Sequence, residues 1–227
     1  MMEFSIAVLP GDGIGPDVIE EAARVLKAVS NRFGHQFELK QGLIGGIAID
    51  NTGSALPDET IEVIDNTDAV LFGAVGGPKW DSLDHSERPE KALLGVRSQL
   101  GLYASLRPVR NYSELTHISN LKPEVIAGAD IMVVREFKGG IYFGTPRGIE
   151  VRDNQRVGWN TLIYSESEIE RVARKGFEIA RKRNKKLTSI DKANILEATA
   201  LWRNVVSEVG RSYPDVSLNH MYVDNAA

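Results

Sequence analysis

Apolar and polar positions along the first hundred residues switch between two periods. Phe4 to Leu9 (FSIAVL) is a short apolar run closed by Pro10 and Gly11, the pattern of a buried strand. From Asp17 to Phe33, Val18, Ala22, Val25, Leu26 and Val29 recur at helical spacing and predict a helix with that face inward. FELKQGLI (37–44) reads as a second strand, PDETIEVI (57–64) as a short helix, and AVLFGAVGG (69–77) as a buried strand running into glycines. ERPEKALLGVRSQLG (87–101) predicts a helix with Pro89 in its first turn and Gly101 past its end. Such alternation argues for an α/β protein built on a layered sheet.

Beyond LYASLRPVR (102–110) the texture changes. Ile141 to Trp159 holds glycines, scattered charges and little periodicity, and predicts a hairpin or extended arm. Ser165 and Glu168 have capping-box spacing and open a long helix reaching about Asn184. LTSIDKANI (187–195) reads as a strand with a polar end, and LEATALWRNVVSEVGRSY (196–213) as an amphipathic helix broken by Pro214. SLNHMYVD (217–224) reads as the last strand. The helix–strand register restarts near Tyr103, which predicts a first lobe of residues 1–103 and a second of 104–227.

Composition narrows the partners. The 227 residues are 42% hydrophobic and 26% charged, ordinary for a globular protein. A net charge of −4 argues against a nucleic-acid partner, whose phosphates call for a basic face. The one dense basic run, RKRNKK (181–186), follows a helical pattern and reads as a solvated helix end complementing the dipole. Cysteine is absent, which excludes disulfides and thiolate metal sites. The first residues lack the basic-then-apolar layout of a signal peptide, and no apolar run spans a bilayer. The expectation is a soluble, cytoplasmic protein without a membrane partner.

Several stretches carry candidate chemistry. GDGIGPD (11–17) follows a strand and opens a helix, but Pro16 stands where the dinucleotide fingerprint needs glycine. It reads as a tight turn lining a pocket. In GAVGGPKWD (73–81) the glycines free backbone N–H groups to approach an anion, although a surface loop fits the same residues. Arg97, Arg107 (before Pro108, at a strand end) and Arg135 (closing IMVV) each adjoin apolar sequence. Buried guanidinium groups need partners, either structural salt bridges or ligand carboxylates gripped by two N–H bonds. Three at element ends favour the ligand. VVREFKGGIYFG (133–144) adds Tyr142 close to Arg135. Lys192 follows TSID at a strand end, where open α/β sheets place ligands, and a desolvated lysine can act as a base. Asp224 ends the last strand and is a hard oxygen donor suited to Mg²⁺ or Mn²⁺. No nucleophile elbow, phosphate loop or zinc-protease motif occurs, and His35, His85, His117 and His220 are scattered in the manner of surface or packing residues.

Taken in order, IAVLPGDGIGPDV, AVLFGAVGGPKWD, RPEKALLGVR, LYASLRPVR, VVREFKGGIYFG, TSIDKANIL and HMYVDNAA resemble the β-decarboxylating dehydrogenases from Ile6 to the last residue. That family oxidises isopropylmalate, isocitrate, homoisocitrate or tartrate. The resemblance implies a two-lobed fold, parallel and mixed sheets flanked by helices, a protruding β arm, and NAD with Mg²⁺ or Mn²⁺ as cofactors. It implies that Arg97, Arg107 and Arg135 bind the malate carboxylates, that Tyr142 and Lys192 are the acid–base pair, and that Asp224 is a metal ligand. The loop from Gly76 to Pro89, with Gly77, Pro78, Lys79, Trp80 and Asp81, would line the NAD site in the first, cofactor-side lobe. Isocitrate enzymes place a serine and an asparagine before the arginine equivalent to Arg97. Here Leu93 and Leu94 imply an apolar pocket, Glu90 would repel an added carboxylate, and Ile195 of a second subunit could complete the pocket. This favours isopropylmalate over homoisocitrate or tartrate. Family dimers share Lys192 and Asp224 across subunits and clasp through the arm at about 141–159, so a homodimer is expected. Further metal-binding aspartates and an adenosine-binding segment of the family lie past the stretch equivalent to VDNAA, so residues 1–227 alone are expected to be inactive, at most a dimerising or binding piece.

Overall fold

A computed structural model describes residues 2–84 and 86–227. His85 lies outside the described residues. The chain divides into two compact units, Met1–Leu102 and Tyr103–Ala227.

The first unit runs β1 (Glu3–Gly11), α1 (Gly15–Phe33), β2 (Gln36–Gln41), α2 (Gly46–Thr52), α3 (Asp58–Asp65), β3 (Ala69–Ala74) and α4 (Glu90–Gln99). Its sheet is parallel in the order β2-β1-β3, with Ile6 opposite both Leu39 and Ala69. The central strand is buried on both faces, which is why its sequence is apolar without alternation. Ala7 and Leu9 pack with Ile44, Ile64, Ala92 and Val96 on one side. Ile6 and Val8 pack with Ile19 on the other.

The inward face of α1 keeps part of the expected stripe, with Leu26 packed on the core and Ala22 and Val29 half-buried. Val18 and Val25 are 51% and 62% exposed, while Gly15 and Ile19 are buried. At Gly15 a Cβ would lie 2.1 Å from the Pro10 carbonyl oxygen, so the helix start presses onto the backbone of β1. Ile19, outside the expected stripe, packs inward together with Leu26, which belongs to it. Helix α2 was not foreseen in the sequence at all.

The second unit runs β4 (Ala104–Arg110), α5 (Pro123–Ile126), β5 (Asp130–Glu136), the hairpin β6 (Gly148–Arg152) and β7 (Gln155–Trp159), α6 (Glu166–Arg181), β8 (Lys186–Asp191), α7 (Glu197–Gly210), β9 (Ser217–Tyr222) and α8 (Val223–Ala226). β4 and β5 are antiparallel, β8 and β9 parallel. The expected arm is the β6–β7 hairpin, turned by Asp153 and Asn154 at φ 49° and 63°, the two-residue left-handed turn that matches strand twist. The core lies between α6 and α7, where Ile169, Phe177, Val205 and Val209 are buried and Phe177 stacks on Tyr213 at 4.8 Å. The capping box forms as expected, with the Ser165 hydroxyl accepting from the Glu168 N–H.

Two local expectations are corrected. Arg107 sits mid-strand in β4, opposite Val133, and Pro108 follows it within the strand, tolerable where no further neighbour needs its missing N–H. β9 ends at Tyr222, so Asp224 lies in the first turn of α8. The basic run is a largely exposed helix end, as expected, and within it Arg181 and Lys185 meet Asp215 and Arg183 meets Asp130.

Candidate active site

In the first unit the organising residue is Asp12. Asp12 is 4% exposed, and its carboxylate accepts three backbone N–H groups: Gly46 at 2.7 Å, Ile47 at 2.7 Å and Gly76 at 2.8 Å. Two of these belong to the first turn of α2, where a negative group also meets the positive end of the helix dipole. The third begins the Gly76–Gly77 turn. One side chain therefore fixes the turn of residues 11–15, the start of α2 and the loop after β3. Lys79 and Trp80 continue the loop onto α2, donating to Asp50 at 2.6 and 3.3 Å. The Lys79 bond holds the Asp50 carboxyl below the usual carboxylate range. The Trp80 ring covers Gly46 so closely that a Cβ there would lie 2.3 Å from it. Pro78 and Lys79 are exposed, and Asp81 gives its carbonyl to Arg88 at 2.9 Å. Pro89 is fully buried at the start of α4 and presents no free surface.

Helix α4 divides its residues between two faces. Ala92 and Val96 are buried in the core. Glu90, Leu93, Leu94 and Arg97 fall within one stripe on the other side, since three- and four-residue steps return to the same face. Glu90 lies against the turn that Asp12 holds, for a Cβ on Gly76 would be 2.4 Å from its Oε1. The structure thus joins this stripe and the glycine loop within one unit.

In the second unit, Arg135 lies over the ring of Tyr142, its guanidinium carbon 5.2 Å from the centroid. Tyr142 is 57% exposed, on a short 3₁₀ turn of Gly140–Tyr142. The neighbouring Glu136 builds this arrangement. Its side chain is 1% exposed and accepts from the N–H groups of Lys138 and Gly139 at 3.0 Å each and from Arg171 at 3.3 Å. Gly140, at φ 76°, fits beneath Tyr164, whose hydroxyl would lie 2.4 Å from a Cβ. The glycine pair is there for close packing, and it presents Tyr142 to solvent. Arg107 bonds the Ser105 hydroxyl at 3.4 Å. Among the described residues, neither Arg107 nor Arg135 meets a carboxylate.

Lys192 and Asp224 leave the ends of β8 and β9 and form an ion pair at 2.5 Å. The Lys192 bond holds the Asp224 carboxyl below its ordinary range. Ile195, 65% exposed, is three residues on from Lys192. As a metal donor Asp224 is one hard oxygen ligand, exposed and anionic. Among the described residues no group of three or more acidic, histidine or cysteine side chains could hold an ion. Mg²⁺ takes one or two protein carboxylates and fills its shell with water and substrate, so Asp224 fits as a single contributor.

Behind this pair is a network that the sequence did not announce. Asp191 has a fully buried side chain and accepts both arms of Arg203, at 2.8 and 2.9 Å. His220 bonds the Ser207 hydroxyl at 3.0 Å and lies 3.9 Å from Asp191. Burial pushes the His220 imidazole below its ordinary range, the Arg203 charge pushes the same way, and Asp191 opposes them.

The first unit is an α/β parallel sheet with an Asp-anchored glycine loop, and the second carries antiparallel and parallel strand pairs with a hairpin arm. The chain matches the isocitrate/isopropylmalate dehydrogenase family over residues 5–227 and belongs to it. It is 59% identical to the 3-isopropylmalate dehydrogenase of Methylococcus capsulatus and 55% identical to that of Aquifex aeolicus, over all of its own length and 63% and 62% of theirs. The chain therefore spans just under two thirds of these curated relatives. Among solved structures it resembles the isocitrate dehydrogenase of Methylococcus capsulatus, with a TM-score of 0.82, 26% identity, and coverage of 98% of this chain and 61% of that one. A β-decarboxylating dehydrogenase from Thermococcus kodakarensis gives 0.71 at 34% identity, covering 98% and 59%. No helix among the described residues is long and apolar enough to cross a membrane.

Proposed function

We propose that this chain carries the substrate-holding and proton-transferring residues of an NAD-dependent oxidative decarboxylase acting on 3-isopropylmalate, working as a homodimer. The observation that carries the reading is the Arg135–Tyr142 pair, a guanidinium and a phenol held together at 5.2 Å with no carboxylate on the cation among the described residues. Arg107 and Arg135 hold substrate carboxylates, and Arg97 does so from α4. Leu93 and Leu94 meet the isopropyl group, while Glu90 repels a substrate with a further carboxylate, which disfavours isocitrate and homoisocitrate. Lys192, released from its Asp224 pair as the neutral amine, takes the proton of the C2 hydroxyl, and Tyr142 later delivers one to the carbon that has lost CO₂. When bound, NAD accepts a hydride and a divalent cation on Asp224 polarises the C2 oxygen. The loop of Gly76, Gly77, Pro78, Lys79, Trp80 and Asp81 forms one wall for the dinucleotide. Pro89 contributes by starting α4.

Tyr142→Phe tests the reading. In an active preparation of the protein, turnover should fall on the order of a hundredfold or more with the shape of the site kept. Calorimetry should show substrate binding little changed. Unchanged turnover, or binding lost as severely as turnover, would remove the proton-donor role.

A further inference from the structure

We infer that Asp191 and Arg203 form a positioning pair for Lys192, deepening the reading that Lys192 moves a proton. Asp191 is the last residue of β8 and stands opposite Tyr222, the last residue of β9, so the two form the final rung of that sheet. Lys192 is the next residue after the rung on one strand, and Asp224 is two residues after it on the other. Arg203 reaches the rung from α7 and engages both members. Its Nε and Nη2 grip the two Asp191 oxygens at 2.9 and 2.8 Å. Its guanidinium carbon lies 4.6 Å from the centre of the Tyr222 ring. Asp191 also accepts the N–H of Ala193 at 3.0 Å, which fixes the backbone on the far side of Lys192.

A buried carboxylate is costly unless every lone pair finds a donor, and here the donors come from a helix and from the loop itself. The arrangement is repeated next to Arg135. Glu136, 1% exposed, is held by Arg171, which lies over Tyr103 at 5.0 Å, and accepts loop N–H groups after the strand. In both places a carboxylate adjacent in sequence to a site residue is clamped by an arginine that rests on an aromatic ring. Neither carboxylate contacts the surface where a substrate could reach it. Their work is to hold the neighbouring residue.

Competitive labelling of lysines with acetic anhydride, read by peptide mass spectrometry on the intact chain, tests this without requiring turnover. Lys192 is paired with Asp224, and Lys175, paired with Glu178 at 2.7 Å, is the internal reference. Asp191→Asn places an amide N–H₂ against the Arg203 donors and frees the Ala193 loop. Lys192 labelling should rise on the order of fivefold, with Lys175 unchanged. Arg203→Lys keeps the charge but not the fork and should give a smaller rise at Lys192; it carries the test if Asp191→Asn does not fold. Unchanged Lys192 labelling in a folded variant overturns the inference. A rise shared by all lysines also overturns it, since Asp191 would then support only the fold. Turnover retained by Lys192→Met would instead sink the proton-transfer reading, while the labelling difference would still report the brace.

Discussion

Asp12, Glu136 and Asp191 show what a residue-level reading of the sequence can and cannot reach. Each is a buried carboxylate whose partners are backbone N–H groups or an arginine from another element. Arg97, Arg135, Tyr142 and Lys192 stand out as candidates in the sequence because their chemistry and motif context are local. The carboxylates do not, because the donors to Asp12 lie 34 to 64 residues away. Only the flanking glycines hinted at them: Gly11 and Gly13 have φ of 71° and 57°, and Gly76 has 101°. Asp12→Ala would strand three N–H groups at once, that of Gly46 buried and those of Ile47 and Gly76 part-buried. At about 1–3 kcal/mol for a buried unsatisfied group and less for those water can reach, the loss should reach about 2 kcal/mol or more. Urea unfolding of the variant measures it, and a loss below that of a surface substitution would show that water replaces the carboxylate.

At the scale of elements, legibility followed the range of the determining interaction. The α6 cap was readable because Ser165 and Glu168 are three residues apart and satisfy each other. The inward face of α1 was readable only in part: Leu26 packs inward as its spacing suggests, while Val18 and Val25 are exposed. Helix α2, whose first-turn amides are satisfied by Asp12, was not readable. The α6 cap supports a prediction with a pH sign. Glu168 is held below the usual glutamate range, first by the Ser165 N–H, with the Ser165 hydroxyl and Arg171 adding and burial opposing. Its folded value is thus depressed, so the contribution is complete above the ordinary glutamate range and is lost as pH falls through the lowered value. Ser165→Ala should cost about 1 kcal/mol at neutral pH. Glu168→Gln should flatten the acid limb of the stability curve. An acid limb unchanged in Glu168→Gln would place that pH dependence elsewhere.

For the whole molecule, the arm poses the last physical problem. A two-stranded hairpin is marginal in water by itself. In β6, Ile149 and Val151 alternate onto one face and are 79% and 69% exposed. Opposite them in β7 stand Gly158 and Arg156, which add no apolar cover. Apolar side chains so exposed on so thin an element call for a partner, and a second copy of the chain brings the same surface in a closed, self-complementary contact. The proposed homodimer therefore rests on this hairpin. Sedimentation velocity should find a dimer in solution. Ile149→Asp combined with Val151→Asp should give a monomer of unchanged far-UV circular dichroism, because charges inserted in an apolar contact lose their hydration without a counter-ion. A monomeric parent chain would remove the proposal. A variant that remained dimeric would move the interface away from the arm.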